Sequence, residues 1–114
     1  MEIRFEKHDK VLIAHLQMFL DQAGAENFKY VLLERMTPGE TVILDLEKLV
    51  NIDSYGLDAL LAVAQKALEN DSMIKLARVS ADMRIVLDIT RVYRVFEIYS
   101  TVEEAVASCQ GDAQ

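Results

Sequence analysis

The sequence predicts an α/β layered domain, a single mixed β-sheet opened by an antiparallel hairpin and continued by alternating strands and helices. Three observations carry that prediction. Two strand-like runs, Glu2–Glu6 and Val11–Leu16, lie only a short turn apart, a spacing that joins antiparallel neighbours. Behind them, short apolar runs alternate with segments patterned at helical spacing, and a helix between two strands favours parallel pairing. The length, 114 residues, suits one core, and neither a repeat nor a linker divides it.

Glu2–Glu6 alternates charged and apolar residues, as a half-exposed strand does, and His8–Lys10 reads as a turn. Val11–Leu16 is more uniformly apolar and therefore more buried. From Gln22 to Met36 the pattern becomes helical, with Phe28, Val31, Leu32 and Arg35 on one stripe. Thr37-Pro38-Gly39 ends that helix by removing a donor and freeing φ. Thr41–Leu46 is the next strand. A second helix is expected from Ser54 to Glu69, with Leu57, Leu60, Leu61, Ala64 and Leu68 on its apolar face. Asn70-Asp71-Ser72 closes it, and Met73–Ala77 returns as a strand. Ser80 and Asp82 begin a third helix that reaches about Ile89. Val95–Ile98 is a last short strand, followed by Thr101 and Glu104 at capping-box spacing. The domain is expected over residues 1–108, with 109–114 as a frayed polar tail.

Composition narrows the function classes. A formal net charge of −7 argues against nucleic acid, which needs clustered Lys and Arg, and against an anionic membrane surface. No apolar run is long enough for membrane insertion, Met1–Lys10 has no signal-peptide pattern, and the lone Cys109 permits no intrachain disulfide. A cytoplasmic protein is the expectation. His8 and His15 are isolated in sequence, without the spaced partners that zinc needs. No Ser/His/Asp order, phosphate-binding Gly loop or paired-carboxylate arrangement stands out, so neither an enzyme nor a cofactor is expected. Asp45, between Leu44 and Leu46, is expected to point to the opposite face of its strand. A response-regulator receiver would need an acidic pair after its first parallel strand and a Lys after its last, and neither is present.

The stretch that carries most information is Leu49–Asp58, between the strand ending at Leu46 and the second helix. Asp53 and Ser54 fall in the loop feeding a helix N-terminus, where unpaired N–H groups and partial positive charge favour short oxygen-bearing side chains and anions. Either residue suits an N-cap, and Gly56 gives the turn backbone freedom.

Ile52-Asp53-Ser54-Tyr55-Gly56-Leu57 resembles the Asp-Ser-Ser/Thr-Gly-Leu signature of STAS domains, the family of bacterial anti-sigma factor antagonists. Met83–Thr90 resembles the family's helix after its fourth central strand, and Val95–Ala105 its closing strand and last helix. The likeness runs from about Val11 to Ala107. It implies that Ser54, directly after the motif Asp, is the phosphorylation site of a partner-switching kinase. The implied partners are an anti-sigma factor with serine kinase activity, bound by the unphosphorylated form, and a PP2C-type phosphatase that resets the switch. The implied docking surface is Asn51, Asp53, Ser54, Tyr55, Gly56 and Leu57, with Asp21 beside the phospho-loop.

The stretch Leu49–Gln65 contains no Lys or Arg, while Asp53 and Asp58 flank the serine. A phosphate there blocks a partner by bulk and charge rather than refolding the loop. Three departures from the family pattern stand out. Tyr55 replaces a small Ser or Thr and reads as an exposed anchor. Met18 and Arg91 stand where glycine is common. Asp21 equally suits the cap of the first helix. A second reading, invited by Tyr55, is an unphosphorylated STAS subunit of a constitutive complex, such as a lipid-transport assembly or a stress-signalling scaffold. Direct nucleotide or ligand binding has no motif behind it.

Overall fold

Side-chain alternation gives a five-stranded sheet two unlike faces in the computed structural model, which describes residues 2–112. The strands β1 (Glu2–His8), β2 (Val11–Leu20), β3 (Thr41–Ile52), β4 (Met73–Ala77) and β5 (Glu97–Tyr99) lie side by side in that order. β1 and β2 pair antiparallel, as the short turn requires, and every later pair is parallel. The helices are α1 (Gln22–Arg35), α2 (Ser54–Glu69), α3 (Ala81–Thr90) and α4 (Val102–Asp112), with a 3₁₀ turn at Val92–Arg94. Among the described residues no helix is long and apolar enough to cross a membrane.

Three helices cover one face. Leu12, Ala14 and Leu16 of β2 and Val42, Leu44 and Leu46 of β3 are buried with Phe28 and Leu32 of α1, Leu60 and Val63 of α2, and Met83 and Leu87 of α3. Each such Leu or Phe contributes about 1.5–3 kcal/mol of burial, so this layer holds most of the core. Among the described residues the opposite face is covered by α4, where Val11, Ile13, Ile43 and Ala77 meet Ala105 and the half-buried Val102, Val106 and Cys109. Lys75, 1% exposed, also lies on this face. Its ammonium donates to Ser108 Oγ at 2.8 Å, lies 3.3 Å from Glu97 and sits 5.6 Å from the Tyr99 ring centroid.

Beyond the start of α4, this second face turns polar around Asp45, which is 4% exposed. Arg78 donates to its carboxylate through Nε (2.9 Å) and Nη2 (2.5 Å), and reaches Glu47 through Nη1 (3.0 Å). His15 bridges Asp45 at 2.5 Å and Glu6 at 2.7 Å. Burial works to raise the Asp45 carboxyl, but the hydrogen bonds from Arg78 and His15 outweigh it and hold the group below the usual carboxylate range.

The structure extends and corrects several expectations. β2 continues past Leu16 to Leu20, and β3 past Leu46 to Ile52, because two register shifts let β3 carry an extra residue at each. His8 ends β1 instead of opening the turn, and β5 begins at Glu97 because Val92–Arg94 takes the 3₁₀ turn and Val95 caps it. Leu68 is exposed, because the buried stripe of α2 runs through Ala59, Leu60, Val63, Ala64 and Ala67. His15 is isolated in sequence only; the register sets it beside Asp45 on β3 and Arg4 on β1, within reach of Glu6. α4 continues to Asp112, so residues 109–112 are helical where a frayed tail was expected, and the rest of that tail lies outside the described residues.

Asp45→Asn is expected to cost about 1–3 kcal/mol at neutral pH, read as a lower urea midpoint, because Arg78 and His15 lose a charged acceptor. A carboxyl depressed by folding gives stability above its unfolded pKa and loses it as pH falls through the folded one. The wild type therefore loses this contribution below about pH 4, and the variant shows a shallower fall over that range.

Candidate functional site

The β2–β3 ladder fixes the site. It runs to Leu20↔Ile52, so the next residue on each strand, Asp21 and Asp53, arrives at the same end of the sheet. Both take extended backbone and both begin helices. Asp21 Oδ1 accepts from Gly24 N at 3.1 Å, and Asp53 Oδ1 accepts from Gly56 N at 2.9 Å. The sequence repeats the same device at both junctions, Asp21-Gln-Ala-Gly24 and Asp53-Ser-Tyr-Gly56.

Asp53 does more than cap its own helix. Its second oxygen, Oδ2, accepts from Gln22 N at 3.1 Å, the first residue of α1. One carboxylate therefore satisfies orphan N–H groups at two helix N-termini and brings two positive dipole ends to one point. The two readings of Asp21, helix cap and neighbour of the serine loop, hold together. The Gln22–Asp53 bond is the feature sequence reasoning missed, and the repeated Asp-x-x-Gly spacing is the signal that pointed to it.

Ser54 is exposed as the first residue of α2, and the carboxylate beside it supplies the cap. Tyr55 is 52% exposed. Gly56 is buried with its N–H on Asp53, and Leu57 is half-buried against the core. Asn51 is exposed with Oδ1 accepting from Ile52 N at 2.9 Å. It belongs to β3 and not to a loop, a correction that follows from the extended ladder. Arg91, in a position where glycine was expected, does adopt left-handed backbone (φ 62°) at the end of α3. Asn51, Ser54, Tyr55 and Asp58 thus present exposed polar and aromatic side chains beside the Ser54 hydroxyl.

A cleft of about 400 Å³ lies on the other face of the sheet, lined by His8, His15, Arg78 and Glu103 among others, and does not include the tip. Among the described residues no group of three His, Cys, Asp or Glu side chains could hold a metal ion.

Asp53→Ala is expected to destabilise the chain by about 1–2 kcal/mol, and Asp21→Ala by less, because Asp53 serves two helices and Asp21 one. Paired urea titrations at fixed pH check the order; equal losses would show that the Gln22 bond contributes nothing.

The STAS domain family model matches residues 2–105. BtrV of Bordetella bronchiseptica, named as an anti-sigma factor antagonist, is 31% identical over 109 residues, covering 95% of this chain and 94% of its own. A solved Thermotoga maritima protein described as an anti-sigma factor antagonist superposes with a TM-score of 0.86 at 21% identity, over 93% of this chain and 92% of that one. The anti-sigma factor antagonist SpoIIAA in its unphosphorylated form gives 0.80 at 20% identity, over 96% and 97%. These two likenesses establish the fold, while the family model and the relative establish descent: the chain belongs to the STAS domain family.

Proposed function

We propose that this domain is an anti-sigma factor antagonist operated by a phosphorylation-controlled partner switch. Unphosphorylated, its tip (Asn51, Asp53, Ser54, Tyr55, Gly56 and Leu57, with Asp21 alongside) docks an anti-sigma factor that has serine kinase activity. Transfer of a phosphoryl group to Ser54 weakens the complex, and a PP2C-type phosphatase resets it. The observation that carries this reading is the division of labour at the start of α2: Asp53 is the cap, and Ser54 beside it is exposed.

A phosphate on Ser54 adds about −1.5 to −2 charges at a helix N-terminus, where the dipole tolerates them. No Lys or Arg between Leu49 and Gln65 is there to clamp it, and Asp53 and Asp58 add charge of the same sign. The modification therefore alters the docking surface more than the fold. A switch of this kind needs only a difference in partner affinity between the two forms. The exposure of Tyr55 also supports a second reading, a constitutively bound subunit that uses the same surface without phosphorylation.

Co-expression with the host's candidate kinases is expected to add one phosphate mass to the wild type and none to Ser54→Ala, read by intact mass spectrometry. No gain in either chain, with a known family substrate phosphorylated in parallel, favours the constitutive subunit. Ser54→Asp is expected to weaken binding to the anti-sigma factor by at least about tenfold, or ~1.4 kcal/mol, in titration calorimetry. Tyr55→Ala should weaken it with an unchanged urea midpoint.

A further inference from the structure

β1 is an edge of the sheet, hydrogen-bonded to β2 alone. The two-residue turn Asp9–Lys10 closes on the pair His8↔Val11, and a pair flanking such a turn exchanges both hydrogen bonds. Alternation then aims the backbone groups of Arg4, Glu6 and His8 at β2, and those of Ile3, Phe5 and Lys7 outward. Such an outward row is a template for another strand.

The edge complements itself in one register. With a copy laid antiparallel and Phe5 opposite Phe5, Ile3 meets Lys7 in both directions, so all the outward-facing residues pair. On the polar face Arg4 of each chain then stands opposite Glu6 of the other. Sliding the copy by two residues sets Arg4 opposite Arg4, or Glu6 opposite Glu6. Directly opposite charges of unlike sign stabilise a strand pair, and like charges destabilise it. Arg4 is exposed and Glu6 half-exposed, 3.9 Å apart within one chain, and the Glu6 carboxylate also meets His15 at 2.7 Å and His8 at 3.4 Å.

The helix side of the same edge carries apolar surface beside charged side chains. An open groove of about 330 Å³ runs between Phe5 and the α1 residues Tyr30, Val31, Glu34 and Arg35, and Tyr30 is 68% exposed. Edge strands usually carry charge that blocks pairing. Here the charges block the wrong registers and leave one.

We propose that a second copy of this chain is the occupant of the β1 edge, joining two five-stranded sheets into one across a twofold axis at Phe5. The contact lies at the opposite side of β2 from β3 and does not depend on phosphorylation of Ser54.

The test uses the full chain carrying Cys109→Ser, with Arg4→Cys in one preparation and Glu6→Cys in another. Opposite positions in a non-hydrogen-bonded pair have Cα atoms about 4.5 Å apart, within disulfide reach, whereas a residue and its own copy sit on the ~7–8 Å diagonal. Mild oxidation is expected to link the mixture and leave each variant alone largely unlinked. In sedimentation equilibrium the unmodified chain should dimerise, Arg4→Glu should weaken association about tenfold, and Arg4→Glu combined with Glu6→Arg should restore it. A chain monomeric up to millimolar concentration overturns the proposal. So does a dimer indifferent to Arg4→Glu, or one linked equally well by either cysteine alone, because each places the contact elsewhere. Circular dichroism of each variant separates lost association from lost folding, and the charge-swapped chain tests register with composition unchanged.

Discussion

The architecture depends on the parallel ladder between β2 and β3 outrunning the rest of the sheet. β4 pairs with β3 only as far as Asp45↔Ala77, while β2 and β3 continue together to Leu20↔Ile52. That extra length delivers two chain segments to one point, so two helices start side by side. Asp53 turns that proximity into a bond by holding Gln22 N as well as Gly56 N. Had β2 ended at Leu16, the beginnings of α1 and α2 would have no common carboxylate.

Much of this was legible in the sequence where one physical signal acted alone. The bounds of α2 and β4 follow from helical periodicity, an Asp or Ser suited to the N-cap, and a short, mostly apolar run. The hairpin followed from turn length. The extension of β3 was hidden because its inward positions step by three, from Leu46 to Leu49 to Ile52, all buried in the same core. A bulge inserts a residue at each step, so the alternation of period two that marks a strand is lost and the segment resembles a loop. The pairing of His15 with Asp45 was invisible for a related reason. Thirty positions separate them, and only the strand register makes them neighbours.

The two faces of the sheet are held by different forces. Beneath α1, α2 and α3 the contact is continuous hydrocarbon. On the other face α4 covers a smaller apolar patch, and polar atoms fill the remainder: Lys75 under the helix, and Asp45 between Arg78 and His15 beyond it. Arg78 holds left-handed backbone (φ 57°), a conformation costly for a residue with a side chain, while its guanidinium reaches back to Asp45. Directional bonds of this sort tolerate less displacement than apolar packing does.

The uneven strand lengths also grade the sheet's local stability. At its centre β3 is flanked by β2 and β4, but from Leu46 onward it has a ladder partner on one side only. Amides in that outer ribbon are shielded by fewer neighbours, so they open to solvent at a lower free energy than those between Val42 and Asp45. The chain thus joins a rigid interior to a more yielding tip, and a charge placed on the tip can be accommodated there before its effect reaches the core.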